Sequence, residues 1–596
     1  MSATGHFAVR HFAVRHFAAA VAVLATPCCL LGAQSTSSRP PVVSSKGRLP
    51  ITGCAGQTIN NIVVITQPPY TDKLPRRLEF VRRAVRALHN TTSDAIIRGY
   101  LLLDVGEPCN QIRRAESERI LRAQPFLVDA RIQVYDDEEG GVRLEVETRD
   151  EFSLLIGASA SPPSPYLRGL RLGENNLGGG AMFAAVEWRE GRAYNDVLSA
   201  EFTDYQFAGG RQILRLAATR FERGQELRAE VVRPYFTDLQ RFAWIASVGG
   251  ARAFTELMRP QQSRNAVNVT RTFADVGGLV RSGPVGRLKL YGLSLTRESQ
   301  QSDSVAVRIT REGFRPDSGA PLTARFRPLN VVRVNGLLGL RRLGFRRVQG
   351  FDALTGAQDV RVGMEVGLLY GQSLGVSATH DRDQFVGGNL YLGWGGPKSF
   401  GGVQVVSEAR YDRRRRSWDN MVTSGRMAWY FKPAVQQLTL LQAEWTSVRN
   451  MGIPVQLSMA DIFGGLHAHN RSREPGAQRL VFRSEQRLIV PTRYNVADFG
   501  LAAFAEAGKL WRDPSVPYSV NTPWRGAVGV SVLAAVPPRS RRMWRVDFAF
   551  PVSTEPDKKF EIRFIADDFT RLFWREPRDV EPARERTLPK SLFKWP

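Results

Sequence analysis

From about residue 151 to residue 570 no helical period appears. Apolar residues recur instead at every second position, in short segments broken by Gly, Pro, Asp and Asn. Trp544, Val546, Phe548 and Phe550 alternate with Arg545, Asp547 and Ala549; Phe560, Ile562 and Phe564 alternate with Glu561 and Arg563; Leu480, Phe482 and Leu488 stand against Arg483, Glu485 and Arg487. Successive strand side chains point to opposite faces, so one face of such a sheet is aromatic and apolar and the other is charged. That is the pattern of a transmembrane antiparallel β-barrel, with Trp544, Val546, Phe548 and Phe550 turned to lipid. A soluble β-sandwich also alternates, but the repeated Arg and Glu on the second face speak against it. At roughly 25 residues per strand with its share of turn, this length predicts about 16 strands.

The N-terminus agrees with export. Arg10 and Arg15 precede an apolar run over 17–31, and Gly32-Ala33 supplies small residues for cleavage, so residues 1–33 are read as a signal peptide. A membrane-anchoring helix is the alternative, but the run is short and contains Pro27. No later stretch reaches the roughly 18 uncharged apolar residues of a spanning helix, so membrane insertion must use strands. The net charge of +25 would suit nucleic acid, yet export and the spread of the basic residues along strand-like segments fit lipid phosphates, an anionic occupant of the interior or acidic client segments better, and a merely solvated basic surface equally well. Cys28 and Cys29 lie in the leader. Cys54 and Cys109 remain, an even pair in an oxidising compartment, either bridged or present as two free thiols.

Between leader and barrel, residues 34–56 form a Ser- and Pro-rich linker. Residues 57–150 read as one self-contained α/β domain of order βααββ. Ile59, Ile62 and Val64 mark its first strand, helices are expected over 74–88 and 111–122, and two strands flank the Glu139-Gly140-Gly141 turn. Its expected core includes Leu78, Val81, Val85, Ile120, Leu121, Ile132, Val134, Leu144 and Val146.

This domain resembles a POTRA module. The resemblance rests on Gly106-Glu107-Pro108, the helix 116–122 (Glu-Ser-Glu-Arg-Ile-Leu-Arg), Phe126-Leu127-Val128-Asp129-Ala130, and Val146-Glu147-Thr148-Arg149-Asp150. Within the barrel region, residues 173–180 (Gly-Glu-Asn-Asn-Leu-Gly-Gly-Gly), Arg233-Pro234-Tyr235-Phe236, Phe504-Ala505-Glu506-Ala507-Gly508 with Trp511, and residues 545–551 are similar to strand ends and late strands of the outer-membrane assembly superfamily that includes BamA, TamA and the two-partner secretion pores. The likeness covers most of residues 57–570. It implies a barrel at 151–570 in the outer membrane, with the small domain in the periplasm. It also implies a function in inserting or translocating outer-membrane proteins, the small domain receiving unfolded clients by β-augmentation, with periplasmic or lipoprotein partners. A passive, anion-preferring pore and a structural or lipid-handling barrel are the other readings.

Two departures stand out. The family's long inward loop carries Leu-Arg-Gly-Tyr or Val-Arg-Gly-Phe; here Gly464, Gly465, Leu466 and Gly476 keep the frame, but His467, Ala468 and His469 occupy the Arg, Gly and aromatic positions. The resemblance implies an arginine set against Glu485 and Glu506. With none in the motif, Arg471, Arg473, Arg483 or Arg487 is expected to supply the charge, because two confined carboxylates without a cation repel each other. His467, mostly neutral at an unperturbed pKa of about 6.5 that adjacent carboxylates could raise, is expected to add mainly a hydrogen bond; the alternative is a loop that projects outward and leaves both glutamates solvated. The second departure is the extension 571–596, a periplasmic tail or a plug. No enzyme activity is expected: histidines are few, His467-x-His469 lacks further metal ligands nearby, His380 has no spaced nucleophile, and no phosphate loop precedes a helix. No cofactor or bound metal is implied.

Overall fold

The computed structural model of the chain describes residues 53–69, 89–138, 140–161, 164–190, 196–221, 224–259, 265–303, 305–310, 313–317, 326–375, 381–460, 464–469, 472–490, 497–552, 560–568, 576–577 and 579–584. The expected leader, the helix over 74–88 with Leu78, Val81 and Val85, and His380 lie outside them.

The small domain is a four-stranded sheet of order β2-β1-β4-β3. Its elements are β1 (Ala55–Gln67), α1 (Asp94–Tyr100), β2 (Pro108–Asn110), α2 (Gln111–Ala123), β3 (Leu127–Asp136) and β4 (Val142–Asp150). β1 runs parallel to β4, and β3 and β4 form an antiparallel hairpin. Gly140 and Gly141 turn that hairpin at φ +76° and +117°, backbone that L side chains rarely adopt. Helix α2 starts where the Asn110 side chain accepts hydrogen bonds from the N–H groups of Ile112 (2.9 Å) and Arg113 (3.2 Å). Ahead of β1, Cys54 is bonded to Cys109 of β2, with 5.0 Å between their Cα atoms. Ile120, Leu121, Ile132, Val134, Leu144 and Val146 are all buried. Helix α1 was not expected; seven residues that bury only Ile97 and Tyr100 are too short to show a period.

From Leu154 onward the chain forms one antiparallel sheet, with twenty-two strands among the described residues. Val307–Thr310 and Gly313–Pro316 make a side hairpin, because Leu288–Ser302 pairs directly with Leu329–Gln349. The other twenty strands follow in chain order, and that order sets the last, Glu561–Asp568, beside the first, Leu154–Ser161. The expected count of about 16 was too low. Turns at the end next to the small domain are short, as between Ser417–Ala434 and Gln437–Arg449, so each strand takes less chain than supposed.

Alternation sets the two faces. Trp394, Trp429, Phe431, Phe482, Val530 and Phe550 are exposed on one; on the other, Arg333, Arg341 and Arg479 are among the largest fully buried side chains. In the strand Arg542–Pro551, Trp544, Val546 and Phe548 are half-buried on the outward face, while Arg545 and Asp547 are buried inside.

The core of the small domain, with Ile59, Ile120, Leu121, Ile132, Val134, Leu144 and Val146, continues into the sheet. Ile97, Tyr100 and Phe126 belong to one apolar cluster with Tyr235, Phe236, Ile245 and Leu279 of the sheet. Phe126 packs against both Tyr100 (6.4 Å between ring centroids) and Tyr205 (6.0 Å). Polar contacts ring that core: the Tyr100 hydroxyl donates to the Tyr205 carbonyl (3.0 Å), Arg122 pairs with Asp359 (3.0 Å), and Arg347 pairs with Asp129 (2.9 Å). The motif at 173–180 is part of this dock. The Asn175 amide donates to the Pro125 carbonyl (2.7 Å), the Asn176 amide donates to Thr92 Oγ1 (2.8 Å), and a Cβ on Gly179 would lie 2.2 Å from the Thr91 carbonyl. Phe126→Ala should therefore loosen the dock as well as the domain, at a cost of ~3–5 kcal/mol. Limited proteolysis would show residues 53–150 digested while the sheet resists; undiminished protection of both would contradict a shared core.

Candidate functional site

The loop 450–477 joins the strands Gln437–Arg449 and Gln478–Val490, and it folds inward for a plain reason. Met451, Ile453, Val455, Leu457, Met459 and Leu466 are apolar, and they bury against Val422, Val448, Val481 and Leu510 of the wall. Its shape depends on glycine. A Cβ on Gly465 would sit 2.0 Å from the Met459 backbone, and one on Gly476 would sit 2.7 Å from Leu510; Gly464 adopts φ +95°. Bridges Leu457↔Gly476 and Ala460↔Leu466 close the loop.

This frame presents His467 to two carboxylates on different strands. Its Nδ1 lies 2.9 Å from Glu506 Oε1, its backbone N–H donates to Glu506 Oε2 (2.9 Å), and its Nε2 lies 3.5 Å from Asp547. Arg483 joins wall and loop: its Nε donates to Glu506 (3.2 Å), and its terminal nitrogen donates to the carbonyls of Gly464 (3.1 Å) and Gly465 (2.6 Å). Glu485 accepts from Arg487 and from Arg545 (2.6 Å), and Arg545 also reaches Asp547 and Ser531. The Ala468 N–H donates to Glu561 (2.7 Å), and His469 Nδ1 meets the His467 carbonyl at 2.8 Å.

Of the residues proposed from sequence, the structure brings Arg483, Glu485, Arg487 and Glu506 into the interior around the loop. Arg473 is exposed, and Arg471 lies outside the described residues. At His467 the carboxylates act against burial: burial alone would lower its pKa, and Glu506 and then Asp547 push it up to about 9, which favours the charged ring at neutral pH. Arg545, Asp547 and Glu561 were missed as members. Alternation had put Arg545 and Asp547 on the charged face, but pairing between non-adjacent strands across an interior leaves no local signal.

Every acid of the cluster faces a cation or a backbone N–H, an arrangement that holds a loop and leaves no group poised to react. Among the described residues no group of His, Cys, Asp and Glu could hold a metal ion. A Ser-His-Asp contact does occur under the small domain, where His89 Nδ1 is 3.3 Å from Ser153 Oγ and Nε2 is 3.1 Å from Asp150. Ser153 and Asp150 are fully buried, and Thr92 donates twice to Asp150, so this is a packing hub without access for a substrate.

The sequence matches no protein-family model, and no curated protein matches it. Among solved structures it is similar to BamA from Haemophilus ducreyi lacking POTRA domains 1–3, at 10% identity over 86% of this chain and 84% of that chain, with a TM-score of 0.37. It is also similar to CdiB from Acinetobacter baumannii, at 10% identity over 85% and 73% with a TM-score of 0.38, and to CdiB from Escherichia coli, at 12% identity over 89% and 93% with a TM-score of 0.38.

The His467 contact makes the loop pH-sensitive. Its pKa is raised on folding, so its contribution is complete below the unfolded value of about 6.5 and is lost as pH rises through about 9. Proteolysis within 450–477 should accelerate over that interval, and His467→Gln should remove the pH dependence. A wild-type rate that stays flat across the interval would refute the charged lock.

Proposed function

We infer that the chain is an outer-membrane β-barrel of the assembly or translocation class, with the small domain in the periplasm receiving extended segments of outer-membrane or secreted protein clients. One observation carries this reading: a sheet whose strand order returns to its start, apolar outside and ion-paired inside, with an α/β domain seated on the turns at one end. An apolar outer face suits lipid, and a closed strand order removes exposed edges in a medium without water.

Client capture would use the outer edge of β3, since β2 has only three residues. That edge is guarded. Arg114 donates to the Ile132 carbonyl (2.7 Å), the Ile132 N–H donates to Glu118 (3.3 Å), and the Ala130 N–H is taken by Asp129 (3.0 Å). An incoming strand must displace these side chains, which also keeps idle edges from pairing with one another. Beside the edge lies a cleft of about 430 Å³, lined by Val128, Asp129, Arg131, Arg347 and Arg539 among others; its basic rim favours acidic segments. A passive anion pore is less well supported, because loop 450–477 fills part of the interior and many of its arginines are paired with acids.

Conditional depletion tests the reading: several unrelated outer-membrane barrel proteins should decline together, whereas normal levels of all of them would refute it. The membrane placement has its own test. Val530, exposed on the outward face, should tolerate Leu, whereas Val530→Arg should cost ~2–4 kcal/mol if the position is near the bilayer midplane, seen as loss of the heat-modifiable folded band on a gel.

A further inference from the structure

Past the last strand, the described residues 576–577 and 579–584 lie against the sheet interior. Asp568 ends that strand beside Arg542, whose guanidinium donates to the Phe152 carbonyl next to the small domain. By Glu576 the chain is inside, among residues near the opposite end. There Arg584, fully buried, inserts into an acceptor pocket of the wall: it donates to the carbonyls of Val422 (3.1 Å) and Val406 (3.1 Å) and to Ser424 Oγ (2.6 Å), and it lies 3.5 Å from Glu408 and 3.4 Å from Glu576. The pocket adjoins an irregularity in pairing at Glu408/Arg410, where Asn420 adopts φ +48°; a bulge of this kind re-aims the groups next to it.

Four further contacts match tail to wall. Asp579 binds Arg479 through two bonds (2.6 and 3.0 Å) and accepts from the Ser458 N–H of the inward loop (3.0 Å). Glu576 accepts from Ser424 (2.9 Å) and lies 3.6 Å from Arg426. Arg271 donates to the Arg584 carbonyl (3.0 Å). Val580 and Ala583 complete the apolar cluster that holds the loop. Acids of the tail meet arginines of the wall, and the tail arginine meets a wall acid.

We propose that residues 576–584 are a built-in occupant of the barrel interior, anchored by Arg584 and Asp579, that seals the interior together with loop 450–477 until it is displaced. Buried guanidinium and carboxylate groups cannot leave their partners singly without a large desolvation cost, so release should be concerted. An incoming segment with alternating acids and arginines could compete for the same wall.

The proposal rests on the membrane-barrel reading, and its test keeps the two apart. A thiol is introduced by Thr446→Cys, a fully buried position between Ser424 and Arg479 on the neighbouring strands, in full-length protein carrying Cys28→Ser and Cys29→Ser; the Cys54–Cys109 bridge does not react. Labelling by a small charged thiol reagent is compared, in reconstituted liposomes, for the otherwise native chain, for Arg584→Ala with Asp579→Ala, and for a chain cut after Asp568. Release of the tail should raise the labelling rate about tenfold or more, the factor that corresponds to ~1.4 kcal/mol in the closed-open equilibrium, and should raise ion conductance in planar bilayers. Equal labelling in all three chains, each migrating as a heat-modifiable folded barrel, would overturn the plug. Absence of heat-modifiable protein in every chain would instead overturn the barrel reading on which the plug depends.

Discussion

One constraint shapes the inside of this sheet: a wall that turns its apolar side outward turns its charges inward, where pairing offsets much of the cost of burial. An isolated buried charge is far more costly than a buried pair, and removing one member of a pair costs ~3–5 kcal/mol. The interior is accordingly tiled with pairs. Arg333 and Arg410 share Asp383, Arg341 lies between Asp238 and Glu365, and Arg271 holds Glu298. These pairs do not by themselves explain stability, since a pair of apolar residues would often do as well. They explain selectivity: whatever enters the interior must bring the complementary charge. The inward loop brings His467, and the segment 576–584 brings Glu576, Asp579 and Arg584.

The same reasoning links the two parts of the chain. A small α/β domain of this size has little core, and here its core continues into the turns beneath it through Tyr100, Phe126, Tyr235 and Phe236. The short segment 173–180 makes that continuity possible, because Gly179 lets the backbone approach Thr91 and the two asparagines tie down Pro125 and Thr92. A domain held this way changes orientation only by opening a shared core, so its position and the order of the turns at that end of the sheet are coupled.

What could be read from the sequence follows the range of each force. Alternation is local, so the faces of the Arg542–Pro551 strand are legible in the sequence, as are helix α2 and the β3–β4 hairpin. The glycine frame of the inward loop is legible only through the resemblance; the steric exclusion that requires glycine at 465 and 476 appears once Met459 and Leu510 are in place. Strand number is not legible: it depends on turn lengths, and these vary along the chain. The partners of Glu485 were half legible. Arg487 sits two residues away on the same strand, but Arg545 comes from across the sheet. The tail is open to two readings in the sequence because its acids and arginines acquire meaning only against Arg479, Arg426 and Glu408.

The most instructive position is 467. An arginine there would bring a fixed charge and a long arm. Histidine brings a short ring with two nitrogens on opposite sides, and the structure uses both, one toward Glu506 and one toward Asp547. Glu506 and Asp547 stand on strands separated by one other, Arg525–Ala535, so the ring spans three strands of wall. Arg483 supplies the permanent charge beside it and grips the loop backbone. The division of labour is therefore between a fixed cation that holds the loop and a titratable one that tightens it. Losing the proton from His467 leaves Glu506 still paired with Arg483 and Asp547 still paired with Arg545, so the loop loosens without stranding a buried carboxylate. A lock built in this way can yield in a graded manner, where a lock resting on a single arginine would either hold or leave an uncompensated charge behind.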